Sequence, residues 1–252
     1  MAAPVLYMGD TSLSGAAGYL AGLMTHFGIG FDYVASDQAV SIESINASRK
    51  LFILSDYPAR LMDKPIQQRV LEHVTRGAGL LMIGGWESFC GHGGDWANSI
   101  LATGVPVTIS ETDDRVNCDQ PTLMVKATEH LVAGTLPWAE RPPTVGGFNR
   151  FKARVGATTV LETQRFTARH LADDRFTFEP LGAREPMLVV GALGKGRTAA
   201  LATDLAPHWV GGFVDWGNQR VTATAPGSWQ IEVGSDYAQF VRNLLTWTGA
   251  LE

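Results

Sequence analysis

The sequence predicts an α/β fold with a mostly parallel central sheet, and two observations support this prediction. Short apolar runs at 51–54 and 80–83 do not alternate with polar residues, which is typical of strands that are covered on both faces. Segments with helical spacing separate these runs. The order strand, helix, strand predicts parallel pairing through right-handed crossovers.

The first half of the chain contains four predicted strands, at residues 4–8, 31–34, 51–54 and 80–83. After the first strand, Ser12 or Ser14 is expected to cap a helix that ends at Gly28. Before the fourth strand, Asp63 is expected to cap a second helix. Apolar residues at helical spacing give this helix one buried face, and Gly77 ends it.

The pattern is less regular after Trp96. Helical turns are expected at 96–101 and within 130–138, and extended segments at 105–109, 123–125 and 158–162. Runs at 186–190 and 198–202 flank a glycine-rich connection, which predicts a C-terminal β-hairpin. Ser235 or Asp236 is expected to cap a last helix that ends near Gly249. No linker or repeat interrupts the chain, so residues 1–252 are expected to form a single domain.

Composition and charge exclude several classes of partner. The net charge is -5, no basic stripe is present, and the apolar runs are too short to span a bilayer, so neither nucleic acid nor a membrane is expected. The N-terminus has no leader pattern, and two cysteines in 252 residues fit a reducing cytoplasm. The expected partner is a small-molecule ligand, with no cofactor, and a homo-oligomer is expected because symmetric assembly is common.

The stretch 79–96, GLLMIGGWESFCGHGGDW, is the main candidate site. Ligands of open α/β sheets bind outside the carboxyl ends of the strands, and here a buried strand ends in glycines followed by reactive side chains. The candidates in this stretch are Gly85, Trp86, Glu87, Ser88 and Cys90. Cys90 is a candidate nucleophile or a buried apolar residue, and Glu87 is a candidate base or a turn cap.

Other polar residues follow predicted strands. Asp10 and Asp56 come directly after the first and third strands, and Asp204, His208 and Trp209 follow the hairpin. His208 is either a base that an aspartate orients or part of a buried polar network. All five are expected to lie near the candidate site.

Several residues in and near the candidate site are of types that bind metal ions. Cys90, His92, Asp95 and His208 are able to bind a metal, but no CxxC, HExxH or acidic-loop spacing is present. No metal site is therefore expected, and a metal-dependent site is a separate, additional hypothesis.

Several motifs, taken in order, resemble one superfamily. They are ILSDYP at 53–58, GGWESF at 84–89 with Gly91 and Gly94, His130 with Leu136-Pro137, and GKGR at 194–197 continuing through DLAPHW at 204–209 to Asp215-Trp216. This pattern resembles the class I glutamine amidotransferase-like superfamily, in the branch near the ThuA-like proteins. The resemblance covers nearly the whole chain and implies a flavodoxin-like three-layer sandwich.

The catalytic motifs of working amidotransferases are not matched. Those enzymes carry G-x-C-x-G and a late H-x-E, whereas Ser88-Phe89 precede Cys90 and Trp209-Val210 follow His208. Two hypotheses follow. In the first, the protein is a hydrolase or transferase for an amide or sugar-like substrate. Cys90 is then the nucleophile, His208 the base, and N–H groups near Gly85 and Trp86 the oxyanion donors. In the second, it is a non-catalytic binding or assembly module.

Overall fold

The structure, a computed structural model, describes residues 2–251, except for the side chain of Val210. Its strands are β1 (Val5–Gly9), β2 (Phe31–Val34), β3 (Leu51–Ser55), β4 (Gly79–Ile83), β5 (Val107–Ile109), β6 (Arg115–Lys126), β7 (Thr144–Asn149), β8 (Phe151–Ala153), β9 (Thr158–His170), β10 (Phe176–Leu181), β11 (Pro186–Leu193), β12 (Gly196–Leu201), β13 (Arg220–Thr224) and β14 (Gln230–Gly234). Its α-helices are α1 (Ala17–His26), α2 (Ile42–Asn46), α3 (Lys64–Arg76), α4 (Pro207–Val210) and α5 (Ser235–Gly249).

The central sheet has the strand order β2-β1-β3-β4-β12-β11-β9-β6-β7, with β10 paired to β9. The five strands from β2 to β12 are parallel, and the remaining pairs are antiparallel. The predicted α/β class is therefore confirmed. The predicted hairpin, β11–β12, is not an addition to the sheet. It joins the parallel part to the antiparallel part, because β12 pairs with β4.

The main helices match the apolar patterns, but some predicted ends differ. Asp63 caps α3 by accepting the Ile66 N–H at 3.0 Å, and Gly77 ends the helix at φ 129°. The predicted cap of α1 by Ser12 or Ser14 is wrong, since the helix starts after Ala16 without a side-chain cap. The hydroxyl of Ser12 lies instead in a local turn with Ser14.

The middle of the chain shows the largest differences. Residues 97–100 are turns and a bend, with a short 3₁₀ helix at Leu101–Gly104, so the predicted helix over 96–101 is wrong. Residues 131–135 form turns rather than a helix. Strands β7, β8, β10, β13 and β14 were not predicted, although Gln230–Gly234 alternates polar and apolar residues. None of the helices within residues 2–251 has the length and apolarity needed to cross a membrane.

The antiparallel part folds back toward the parallel part at one end. The Asn149 N–H, at the end of β7, donates to the Ala202 oxygen just after β12 at 2.8 Å. The Thr203 hydroxyl donates to the Gly147 oxygen at 2.9 Å. These contacts bring the far edge of the sheet to the carboxyl ends of its parallel strands.

Candidate functional site

Four adjacent parallel strands place their carboxyl ends side by side. Asp10 follows β1, Asp56 follows β3, Gly84-Gly85 follow β4, and Asp204 lies three residues beyond β12. Because the strands are parallel, these residues lie at the same edge of the sheet. The sequence-predicted residues Asp10, Asp56 and Asp204 are thus brought together.

The carboxyl group of Asp56 is enclosed by the loop after β4. It accepts the Glu87 N–H at 2.7 Å. Gly85 has a φ of 157°, and a β-carbon at this residue would lie 2.2 Å from Asp56 Oδ1. Glycine is therefore required for this close approach.

The loop also fixes Ser88. Its Oγ accepts the Asp56 N–H at 2.9 Å, and the side chain is buried. Of the predicted oxyanion donors near Gly85 and Trp86, the Gly85 N–H donates to Asn149 Oδ1 at 2.9 Å.

Asp204 is almost completely buried, at 1% exposure. Its Oδ1 accepts the N–H groups of Leu205 and Ala206 at 2.5 and 3.0 Å. Its Oδ2 lies 3.2 Å from His208 Nε2, but the alignment does not make a hydrogen bond. Among the described residues, this oxygen has no hydrogen-bond partner.

His208 is about half-exposed, and partial burial lowers the pKa of its imidazole. One ligand atom each from Asp56, Asp204 and His208 lies within 4.8 Å of the others. The structure therefore places His208 with the aspartates. Trp209 is buried, and its indole N–H donates to Asn117 Oδ1 at 3.0 Å, while its ring packs on Gly147.

The pKa values of the three carboxyl groups are all raised. Burial, followed by the charges of Asp56 and Glu87, raises the pKa of Asp10 to about 7. Burial is also the main cause that raises the pKa of Asp56 to about 6. Burial, followed by the charges of Asp56 and Asp10, raises the pKa of Asp204 well above its usual range. Like charges in a poorly solvated site explain all three shifts.

The rim of the site is more exposed. The Glu87 side chain is 35% exposed and lies 3.4 Å from Arg60 Nη1. The Trp86 side chain is about half-exposed, and the Arg115 guanidinium lies 4.8 Å from the centre of its ring. These residues offer a carboxylate and an aromatic surface to a ligand.

Cys90 lies on the other side of the same loop. Its N–H donates to Asp114 Oδ2 at 2.9 Å, and the Gly91 N–H donates to Oδ1 at 3.0 Å. Burial raises the pKa of the Cys90 thiol, and the charges of Asp114, Asp95 and Asp113 add to this. This environment favours the neutral thiol, whereas a nucleophile needs a lowered pKa. The predicted partner of Cys90, His208, contacts Asp204 instead.

Two residues that the sequence did not indicate support this loop. Asn149 is completely buried, and its side chain accepts the Gly85 N–H and donates to the Gly85 oxygen and to Asp114 Oδ1. Asp114 is also buried. Asn149 could have been predicted as a polar residue that ends a strand, but the sequence did not predict β7 itself.

Comparisons with known proteins identify the family of the chain. The model of the family GATase1_like, described as "Putative glutamine amidotransferase", matches residues 38–222. The chain belongs to this family of glutamine amidotransferase-like proteins. The comparison with curated proteins gave no match.

Solved structures share the fold. The Salmonella typhimurium cytoplasmic protein STM3548 is 24% identical with a TM-score of 0.74, covering 97% of this chain and 98% of that one. Cytoplasmic protein STM1381 from Salmonella typhimurium LT2 is 23% identical, with the same TM-score and coverage. A β-galactosidase from Rahnella sp. R3 is 12% identical with a TM-score of 0.54, covering 99% of this chain and 32% of that one.

Proposed function

We propose that the protein is a hydrolase or transferase that acts on a small amide or sugar-like molecule by acid–base chemistry at the carboxyl ends of β1, β3, β4 and β12. The observation that carries this proposal is the convergence of Asp10, Asp56 and the loop that bears Glu87 at one edge of the sheet. Asp10 has a pKa of about 7, and the charge of Glu87 contributes to that shift. Two carboxyl groups in different environments are typical of an acid and a base in one site.

Each group has one role in hydrolysis. Glu87, as a carboxylate, takes a proton from water while the water oxygen forms a bond to the substrate carbon. Asp10, protonated, gives its proton to the leaving nitrogen or oxygen while the bond from that atom to the same carbon breaks. One water is consumed, two products form, and proton exchange with solvent restores both carboxyl groups.

The remaining predicted residues take supporting roles in this proposal. Trp86 offers its exposed ring to the ligand. Ser88 accepts the Asp56 N–H, and Gly85 leaves room for the Asp56 carboxyl group. Cys90 as nucleophile with His208 as base stays the alternative mechanism.

The test is a pH–rate profile on a panel of nitroanilides and nitrophenyl glycosides. We expect hydrolysis of a panel member to depend on a group with an apparent pKa near 7, and Asp10→Asn to lose that dependence together with most of the rate. Glu87→Gln is expected to lose a similar share, since one acid or base typically contributes about 10²- to 10⁴-fold. Asp37→Asn, an exposed aspartate, is the control. Full activity in Asp10→Asn would contradict the assignment.

A second candidate function is assembly with another copy of the chain. On the β10 strand, Phe176 is 60% exposed, Phe178 65% and Leu181 44%. Within the described residues β10 pairs only with β9, so its outer edge offers backbone groups to a second β10. Such a module would bind its ligand without turning it over.

Light scattering tests this assembly. We expect a homo-oligomer for the unmodified protein and a monomer for the double variant Phe176→Ser/Phe178→Ser. Val155→Ser removes a fully exposed apolar side chain outside the hairpin and is the control. A monomeric mass for the unmodified protein at micromolar concentration would refute the homo-oligomer.

The proposal also covers the fold, the location and the partners of the protein. We propose a flavodoxin-like arrangement with a helical layer on each face of the sheet, which is supported by the separate pairs α1–α5 and α2–α3. We also propose a single domain over 1–252, close to the ThuA-like branch. A cytoplasmic location is supported by the names of the two Salmonella proteins. A small molecule is the proposed ligand, with no nucleic acid or membrane partner.

A further inference from the structure

We propose that Asp56, Asp204 and His208 bind a divalent transition-metal ion, of the Mn²⁺ or Zn²⁺ class, at the carboxyl ends of β3 and β12. The proposal rests on the proposed function for the location of the substrate, but cation binding itself is measured without any substrate.

The first observation is the unpartnered oxygen of Asp204. This side chain is buried, its Oδ1 is fully used by two backbone N–H groups, and its Oδ2 has no hydrogen-bond partner among the described residues. Buried polar atoms are rarely left without a partner, so each exception needs an explanation such as an ion. Oδ2 faces His208 Nε2, which is the direction of the cluster.

The second observation is the spacing of the donor atoms. The three donor atoms lie within 4.8 Å of one another, and the Asp204 Oδ2 to His208 Nε2 distance is 3.2 Å. A tetrahedral ion with bonds of about 2.0–2.1 Å separates its ligand atoms by about 3.3 Å. The Asp204 and His208 atoms already have about that spacing. The Asp56 oxygen reaches it if the carboxylate moves toward these two atoms.

The third observation is the charge of the site. Asp56, Asp204 and Asp10 meet at one sheet edge, so three acidic side chains lie close together. A bound cation offsets the repulsion among their negative charges. Three protein ligands leave coordination positions open, as in catalytic metal sites, and an oxygen of the substrate can occupy one of them.

The ligand chemistry selects the ion. One imidazole nitrogen and two carboxylate oxygens suit Zn²⁺, Mn²⁺ or Fe²⁺, whereas Mg²⁺ prefers oxygen ligands alone. The ligands come from the ends of β3 and β12 and from α4, so they have no short spacing in the sequence.

The experiment is isothermal titration of the untagged, EDTA-treated protein with Mn²⁺ and, separately, with Zn²⁺. We expect one ion per chain. We expect Asp204→Asn and His208→Ala to weaken binding by more than about 100-fold, since loss of a residue that only supports a ligand already costs about 10- to 100-fold. Circular dichroism checks that each variant folds, and the half-exposed His208 is the safer substitution.

His170→Ala is the matched control. His170 and Asp174 form another histidine–aspartate pair four residues apart, with 3.0 Å between Nε2 and Oδ1, but both are exposed. Unchanged binding in this variant, with lost binding in His208→Ala, supports the site. Absence of binding, or equal binding in His208→Ala and the unmodified protein, overturns it. Binding of the cation together with full activity of Asp10→Asn would reject the proposed function alone.

Discussion

Asn149 satisfies both backbone groups of Gly85, accepting its N–H at 2.9 Å and donating to its oxygen at 3.2 Å. These two residues lie at the ends of β7 and β4, which are five positions apart in the strand order of the central sheet. The same amide donates to Asp114 Oδ1 at 2.8 Å, and Asp114 holds the Cys90 loop. One buried side chain therefore connects the antiparallel part of the sheet to the candidate site.

Substitution Asn149→Ala is expected to lower the free energy of unfolding by about 2–4 kcal/mol. It leaves the Gly85 N–H and the Gly85 oxygen without a partner in a buried place, and each unsatisfied group costs about 1–3 kcal/mol. Urea denaturation measures the loss. Asn46→Ala removes only a surface bond to Arg69 and should change little.

Substitution Gly85→Ala is expected to destabilise the protein by about 1–3 kcal/mol more than Gly93→Ala. Both glycines have positive φ, at 157° and 95°, so both variants carry backbone strain. Only at Gly85 does the new β-carbon meet the Asp56 carboxyl, at 2.2 Å, whereas Gly93 has open space. Overpacking of this kind costs about 1–3 kcal/mol. Equal stability of the two variants would show that the loop shifts to accommodate the new methyl group.

The free energy of unfolding is expected to fall as the pH rises from about 4 to about 7. The pKa of Asp10 is raised from 3.8 to about 7, so over this range the unfolded chain loses the proton and the folded chain keeps it. A carboxyl group with a raised pKa stabilises the fold below its unfolded pKa and loses that contribution through its folded pKa.

The expected change is on the order of 2–4 kcal/mol, since one pKa unit corresponds to about 1.4 kcal/mol. Urea denaturation at pH 5 and pH 8 in EDTA measures it, with EDTA present to keep the site free of cations. Asp10→Asn should reduce the dependence, because the amide does not titrate while Asp56 and Asp204 still do, and Asp37→Asn should keep it. A dependence that is the same in Asp10→Asn would assign it to other groups.

Cys90 is expected to react slowly with iodoacetamide, with an apparent pKa above the ~8.5 of a free thiol. Burial and the charges near Asp114 raise the pKa of this thiol. The measurement uses Cys118→Ser to remove the background, and adds His208→Ala for comparison. We expect His208→Ala to leave the rate unchanged. An apparent pKa well below 8.5 that depends on His208 would restore the thiol mechanism.

The parallel half of the fold was predictable because its signals are local. The runs at 51–54 and 80–83 are apolar and short, and the helix between them carries a clear cap at Asp63 and a clear end at Gly77. The antiparallel half was not predictable in the same way. The β10 strand is exposed along its whole length, so its residues do not alternate between buried and exposed positions.

The sequence by itself determined that polar residues follow buried strands, which was enough to predict Asp10, Asp56 and the loop after β4 as parts of one site. Only the tertiary structure decided which side chains meet. His208 lies with Asp56 and Asp204, and Cys90 lies with Asp114, because β12 is inserted beside β4 and β7 returns to the same edge. Contacts between distant segments depend on packing across the sheet, and local patterns of residues do not encode that packing.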